Sequence, residues 1–322
     1  MDIKNRFLTA EQWLSLSMDV DESQVVIGSP SQCIIRPGTK NIIEAPEKAF
    51  KTTFMLRLTM GLSCGQTVFS LLPVLRPRRV LYVHGELSPP EIQERTHSAA
   101  QDLPRPLNNF YQGRDHRIHL GEKDGQQILK NIVVGYEPED LVIDPWQAFI
   151  TGFDENEFKD VSRATHFLDE LIEECKVTVY LVTHLGKDHS RGTRGHSSLG
   201  GWRDTLIKLE RKKELVEVKV DPRWAAPVEP FKLKFENGTL RTTDESGFKP
   251  QADEIRKFLQ SQGGESTVGA VGAHLDLTSD SLRKALKRAE EAKAIVVAGD
   301  AVRLPEFHEK IAGQVVAVFT GG

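Results

Sequence analysis

Between residues 41 and 236, short β-branched runs alternate with longer amphipathic segments, and this alternation constrains the fold more than any other feature. Residues 41–44, 80–83, 141–144, 178–183 and 205–210 read as strands, and residues 51–63, 90–102 and 157–175 read as helices between them. Parallel neighbours cannot be joined by tight turns, so each needs a long crossover. A chain written this way builds βαβ units around a mostly parallel sheet, an α/β fold. Residues 215–220 and 230–235 then read as an antiparallel pair, with Asn237-Gly238 a turn signal beyond them.

The pattern changes after residue 243. Residues 244–250 are polar, carry Gly247 and Pro250, and read as a linker. Helical patterns follow at 252–262, 267–275 and 279–293, then two short strands, 295–298 and 301–304, around Gly299-Asp300. Three short helices and a tight hairpin make the pattern of a small winged helix-turn-helix domain. The expected division is a lead-in over 1–40, an α/β domain over 41–243, the linker over 244–250, the winged helix over 251–305 and a tail over 306–322. A length of 322 residues agrees with about two domains.

Composition removes other classes. Hydrophobic residues at 39% and charged residues at 27% describe a globular chain rather than a disordered one. No apolar run reaches the roughly 18 residues of a membrane span, and the first 20 residues carry no signal-peptide core. Cys33, Cys64 and Cys175 stand far apart without metal spacing, so a reducing cytoplasmic setting is expected. A net charge of −4 excludes binding nucleic acid through bulk charge but leaves room for a local basic face.

The first strand runs into Ala45, Pro46, Glu47, Lys48, Ala49, Phe50, Lys51, Thr52 and Thr53, and then a helix. A phosphate-binding loop has the pattern G-x-x-x-x-G-K-[ST], in which a tight turn aims backbone N–H groups at a phosphate. Both glycines are replaced here, by Ala45 and Phe50, while Lys51 and Thr52 stand where a phosphate-binding lysine and a Mg²⁺-binding hydroxyl belong. Taken alone, the segment also reads as an ordinary helix start.

Its context decides between the two. Strand 80–83 ends in His84-Gly85-Glu86, whose carboxylate could orient an attacking water. Strand 141–144 ends in Asp144, a Mg²⁺ position, and strand 178–183 is followed by His184, a γ-phosphate sensor position. These candidates all lie at carboxyl ends of strands, where open α/β sheets bind ligands. One such residue is commonly an accident of sequence; several in this order are not.

From about residue 34 to 236 the chain resembles the RecA-type P-loop ATPases, in particular the branch of RepA-like hexameric replicative helicases. The resemblance rests on 45–53, 80–86 with the helix start at 89–95, 141–144, Thr183-His184-Leu185-Gly186-Lys187 and 194–204, the last being the most specific. It implies a Mg²⁺-dependent ATPase core that assembles into rings, hexamers or filaments with ATP between subunits. An arginine from a neighbouring subunit would then complete the site, with Arg203 the first choice and Arg223 and Arg211 after it. The missing glycines weigh on turnover more than on nucleotide binding.

Two basic segments point to DNA. Residues 186–195 contain Lys187, Arg191 and Arg194 and no apolar residue, and similar family members carry a loop here that lines a central channel for single-stranded DNA. A solvated surface loop is the plainer reading. His189 in this segment and His196 just after it, with His184, fit no zinc spacing. On the helix at 279–293, Leu282, Ala285, Leu286 and Ala289 form one stripe, and Arg283, Lys284, Lys287 and Arg288 form another. A cationic outer face of this kind suits a recognition helix on duplex or forked DNA, though a winged helix can also serve protein contact. The expected function is an ATP-dependent DNA-handling motor, a ring helicase or translocase of a plasmid, phage or mobile element. The alternative is a nucleotide-gated DNA-binding adaptor, such as a loader, recombination mediator or defence component, with slow or absent hydrolysis.

Overall fold

A computed structural model of the chain describes residues 9–15, 22–30, 32–69, 71–150, 158–184, 197–225, 228–243, 251–275, 279–291 and 294–308. A short helix α1 (Ala10–Leu14) and the two-stranded pair β1 (Ile27–Gly28) and β2 (Cys33–Ile35) precede β3 (Lys40–Ala45) and α2 (Lys51–Cys64). Then come β4 (Val80–His84), α3 (Pro89–Ala99), β5 (Phe110–Gly113), α4 (Lys123–Tyr136), β6 (Asp140–Asp144), α5 (Phe158–Cys175) and β7 (Thr178–His184). The sheet is completed by α6 (Ser197–Trp202), β8 (Thr205–Lys212), β9 (Leu215–Pro222), β10 (Val228–Glu236) and β11 (Thr239–Thr242).

Strands β3 to β11 form one nine-stranded sheet in the order β11-β10-β9-β8-β3-β7-β6-β4-β5. Pairing is parallel from β8 through β5 and antiparallel from β8 through β11. The inner parallel strands β3, β7, β6 and β4 are buried on both faces and therefore read as continuous apolar runs, Val142 and Ile143 on β6 and Leu181 and Val182 on β7 among them. Successive side chains enter opposite cores. Ile43 joins Phe54, Leu58 and Leu62 of α2, whereas Ile42 joins Leu168 and Leu171 of α5 and Leu129 of α4. The sheet thus lies between two helical layers, a three-layer α/β architecture.

Three features depart from the reading of the sequence. The core begins before residue 41, because Val26, Ile27, Ile34 and Ile35 are buried in the same cluster as Ile43. Strand β5 and helix α4 were not foreseen: β5 is a sheet edge with alternate residues exposed, so its apolar signal is thin. The turn at Asn237-Gly238 leads into β11, both turn residues holding positive φ, 50° and 78°.

The C-terminal residues have their own core. Helices α7 (Gln251–Ser261), α8 (Val268–His274) and α9 (Ser279–Glu291) join β12 (Glu265–Thr267), β13 (Val296–Ala298) and β14 (Ala301–Arg303), paired in the order β12-β14-β13. Ile255, Leu259, Val271, Leu282, Leu286 and Val302 bury one another. Gly272 lets α8 approach α9, since a Cβ there would meet the Leu282 side chain. The linker at 244–250 and the tail from 309 onward lie outside the described residues. Among the described residues, no helix is long and apolar enough to cross a membrane.

Candidate nucleotide site at the carboxyl edge of the sheet

Residue Ala45 ends β3 and is buried, and the loop 46–50 carries the chain to Lys51, the first residue of α2. The first bond of this helix runs from the Phe54 amide to the Phe50 carbonyl at 2.8 Å. The amides of Lys51, Thr52 and Thr53 therefore precede the helical ladder, and an amino end of this kind attracts anions. Lys51 is only 7% exposed, and its Nζ donates to the carbonyls of Ala45 at 3.2 Å and Pro46 at 2.9 Å.

Phe50 has φ 61° and Lys48 φ 59°, the left-handed region that glycine enters freely. Each non-glycine residue held there costs about 1–2 kcal/mol. Against that, the Phe50 ring stacks on Phe235 at 4.2 Å with 11° between planes, and the Arg211 guanidinium lies 4.3 Å from its centroid. Such contacts contribute about 0.5–2 kcal/mol each, the same order as the strain. The loop thus keeps left-handed residues in its turn with neither glycine of the pattern, and the side chain that replaces the second is packed outside the turn.

Around Lys51 the neighbouring strands bring three more candidates. His184 ends β7 opposite Ala45, and its Nδ1 lies 3.1 Å from Lys51 Nζ. An ammonium has donors only, so with Lys51 charged Nδ1 is the accepting nitrogen of this contact. Asp144 ends β6, is 5% exposed, and accepts a 2.5 Å hydrogen bond from the Tyr82 hydroxyl of β4. Glu86 stands just beyond β4, where the Gly85 amide donates to the Asp144 carbonyl at 2.8 Å. Gly85 is required there, since a Cβ would collide with Ala148 in the turn after Asp144.

The charges sense one another. Burial lowers the Lys51 ammonium below the usual lysine range, and Asp144, Glu47 and Glu86 pull it partly back. Partial desolvation, then Asp144, raises Glu86 above the usual carboxylate range, and Lys51 opposes the rise. Lys51, Asp144, Glu86, His184 and the exposed Glu47 therefore form one electrostatic cluster.

The donor set fits a magnesium–triphosphate. A buried ammonium and the amino end of a 14-residue helix suit phosphate oxygens. Mg²⁺ takes oxygen ligands, commonly one or two carboxylates plus substrate phosphates, and the half-buried Thr52 and Asp144 offer a hydroxyl and a carboxylate. Among the described residues no group of three or more His, Cys, Asp or Glu is arranged around a metal position.

Other candidates lie elsewhere. Arg203 precedes β8, and its Nη1 donates to the Gly200 carbonyl at 3.1 Å. That is the amino end of the strands, where the Asp204 amide donates to the Lys40 carbonyl, about 17 Å from Ala45 at roughly 3.3 Å per residue. Arg223 pairs with Asp204 at the same end, 3.3 Å apart. Arg211, read from the sequence as a third choice for a neighbour's site, instead contacts its own loop: it donates to the Lys48 carbonyl at 2.7 Å. The cause is the β8–β9 hairpin, which carries the end of β8 past the loop. Lys187, Arg191 and Arg194 lie outside the described residues. On α9, Arg283 and Lys287 are exposed one turn apart, whereas the side chains of Lys284 and Arg288 are outside the description.

The sequence reading missed Tyr82, Phe235 and the role of Arg211. Tyr82 left a trace, as the one residue with a polar tip between Leu81 and Val83 in a fully buried strand.

Residues 31–190 match the family model described as an AAA domain. Among solved structures, the crystal structure of the RadB recombinase is similar, with a TM-score of 0.47 and 15% sequence identity, over 65% of this chain and 92% of that one. No curated protein matches the chain. The family match takes in β2 through β7 and the loop at 45–53, and it supports an ATPase.

Proposed function

We propose that the chain is an ATP-dependent DNA-handling motor, a ring helicase or translocase that binds Mg²⁺–ATP at Lys51. The observation that carries this reading is the meeting of Lys51, Asp144 and Glu86 from three elements at one edge of the sheet. Bound Mg²⁺ would neutralise charge on the transferred phosphoryl group, with Thr52 and Asp144 holding it. Lys51 would turn its ammonium from the Ala45 and Pro46 carbonyls to phosphate oxygens. Glu86 would take the proton of the attacking water, and His184, in contact with Lys51, would sense the γ-phosphate. Arg203, at the far end of its own sheet, is free of its own site and suited to a neighbour's in a hexamer or filament. The order α7, α8, α9 and the sheet β12-β14-β13 support reading the C-terminal residues as a winged helix. Arg283, Lys284, Lys287 and Arg288 on α9 would meet duplex or forked DNA, and Lys187, Arg191 and Arg194 a single strand in the channel.

One observation favours a second reading. Lys48 and Phe50 hold left-handed conformations that glycine would hold without strain, and a loop stabilised this way suits a nucleotide-gated adaptor that turns over slowly. ATPase rates with and without single-stranded DNA separate the two. A motor is expected to be stimulated roughly tenfold or more, since DNA completes its cycle, in line with conformational steps limiting many turnover rates. A slow rate indifferent to DNA would sink the motor.

The pH profile follows from the shifted groups. Glu86 accepts a proton only when ionised, so kcat/KM for ATP should fall as pH drops through a value above the ordinary glutamate range. Lys51 binds phosphate only when charged, so kcat/KM should fall again as pH rises through a value below the ordinary lysine range. Glu86→Gln should erase the acid limb and keep the alkaline one; an acid limb that persists would remove Glu86 from the role of base.

A further inference from the structure

We propose that Arg211 is a positioning residue of the nucleotide site, holding Lys48 and Phe50 in the left-handed conformations that glycine-containing phosphate loops adopt unaided. The inference rests on the ATP reading of the loop and adds a residue that the loop pattern does not contain. Arg211 lies near the end of β8, paired with Val216 of β9, and its Nε donates to the Lys213 carbonyl at 2.7 Å. From that tether Nη1 reaches the Lys48 carbonyl at 2.7 Å while the guanidinium covers the Phe50 ring at 4.3 Å. Phe235 of β10 stacks on the same ring at 4.2 Å, its amide donating to the Glu214 carbonyl at 2.9 Å. Two groups at that height cannot share one face, so Phe50 is clamped between the β8–β9 hairpin and β10.

The clamp acts on both left-handed residues, one through its carbonyl and one through its ring. Without it, each would relax toward the ordinary right-handed or extended regions. The amides of the loop would then leave the arrangement that suits phosphate, and the fraction of molecules competent to bind would fall. The guanidinium is spent on Phe50, Lys48 and Lys213, which argues for support of the loop rather than direct contact with nucleotide.

The test is a substitution cycle read by binding of a fluorescent ATP analogue with Mg²⁺, and by hydrogen exchange at amides 49–54. Arg211→Ala is expected to weaken binding roughly tenfold in the natural sequence, the loss typical of one charged hydrogen bond. In a background carrying both Lys48→Gly and Phe50→Gly it should cost less than about threefold, because glycine holds both left-handed positions unaided. Arg211→Lys should behave like Arg211→Ala, since lysine cannot stack and bridge as a planar fork does. Exchange should accelerate with Arg211→Ala in the natural background and change little with Lys48→Gly and Phe50→Gly already present. Equal losses in both backgrounds, or recovery by lysine, would make Arg211 a direct charge on the nucleotide and overturn the clamp. No loss in the natural background would overturn it too. If Lys51→Ala binds the analogue as well as the natural chain does, the nucleotide reading fails by itself. Exchange then still decides the clamp, and unchanged exchange in Arg211→Ala overturns it.

Discussion

Lys51→Ala is expected to weaken Mg²⁺–ATP binding by about 100-fold or more, equivalent to ~2.7 kcal/mol. The size follows from where the ammonium sits. It is 7% exposed and held by the Ala45 and Pro46 carbonyls, so it is already desolvated before any phosphate arrives. A charge-assisted bond made from such a position contributes about 1.5–3 kcal/mol, and the long-range attraction for a polyanion adds to it. The remaining donors, the amino end of α2 and the loop amides, supply the rest and are untouched by the substitution. Folding should survive, because burial already works against the charged form of this lysine. Titration with a fluorescent ATP analogue, beside thermal melts of both proteins, checks the point. Equal affinity in the two would mean that residues 45–53 do not hold phosphate.

The parts of this site that were legible in the sequence share a physical cause. Strands buried on both faces must be apolar throughout, so β4, β6 and β7 stand out, and a polar residue at the tip of such a run is conspicuous. Glu86, Asp144 and His184 were legible for that reason, and Lys51 because a helix start has a recognisable form. Strand β5 was not: it is an edge strand with Tyr111 and Gly113 exposed, and half its residues carry no burial signal. Helix α4 was hidden by its start, where Gly125 packs against the backbone of His119, a contact made from outside the helix.

Arg211 and Phe235 were illegible for a different reason. They lie 161 and 185 positions beyond Phe50 in the chain, by subtraction of residue numbers, and only the register of β8, β9 and β10 brings them together. Side-chain periodicity says which face a residue occupies but not which distant loop passes over it. Phe50 looked like a fault in a glycine pattern when seen one residue at a time. Beside its two partners it is the centre of a packed stack. Tyr82 lies between these cases, because its polar tip was visible but its partner, Asp144, is fixed by the β4–β6 pairing.

Glu86→Gln is expected to lower ATP turnover by roughly 10²-fold or more while leaving nucleotide affinity within about threefold, since removing a general base costs on the order of 10²–10⁴. Glutamine keeps the shape and a hydrogen-bonding oxygen but accepts no proton. The residue is exposed beyond β4, so neither packing nor fold depends on it. Arg203 extends the prediction to assembly. It lies at the amino end of the sheet, a strand's length from Lys51 of its own chain, so on the proposed reading its charge would serve phosphoryl transfer at a neighbour's nucleotide. Arg203→Ala should therefore be as inactive as Glu86→Gln, yet mixing the two should recover part of the turnover. In a mixed assembly some interfaces join a natural Glu86 from one chain to a natural Arg203 from the next, and those interfaces are complete. A site contained in one chain would gain nothing, because every chain in the mixture carries one defect. Turnover per subunit should also rise with protein concentration as interfaces form. No recovery on mixing, with concentration-independent activity and a monomer in sedimentation, would sink both the shared site and the ring.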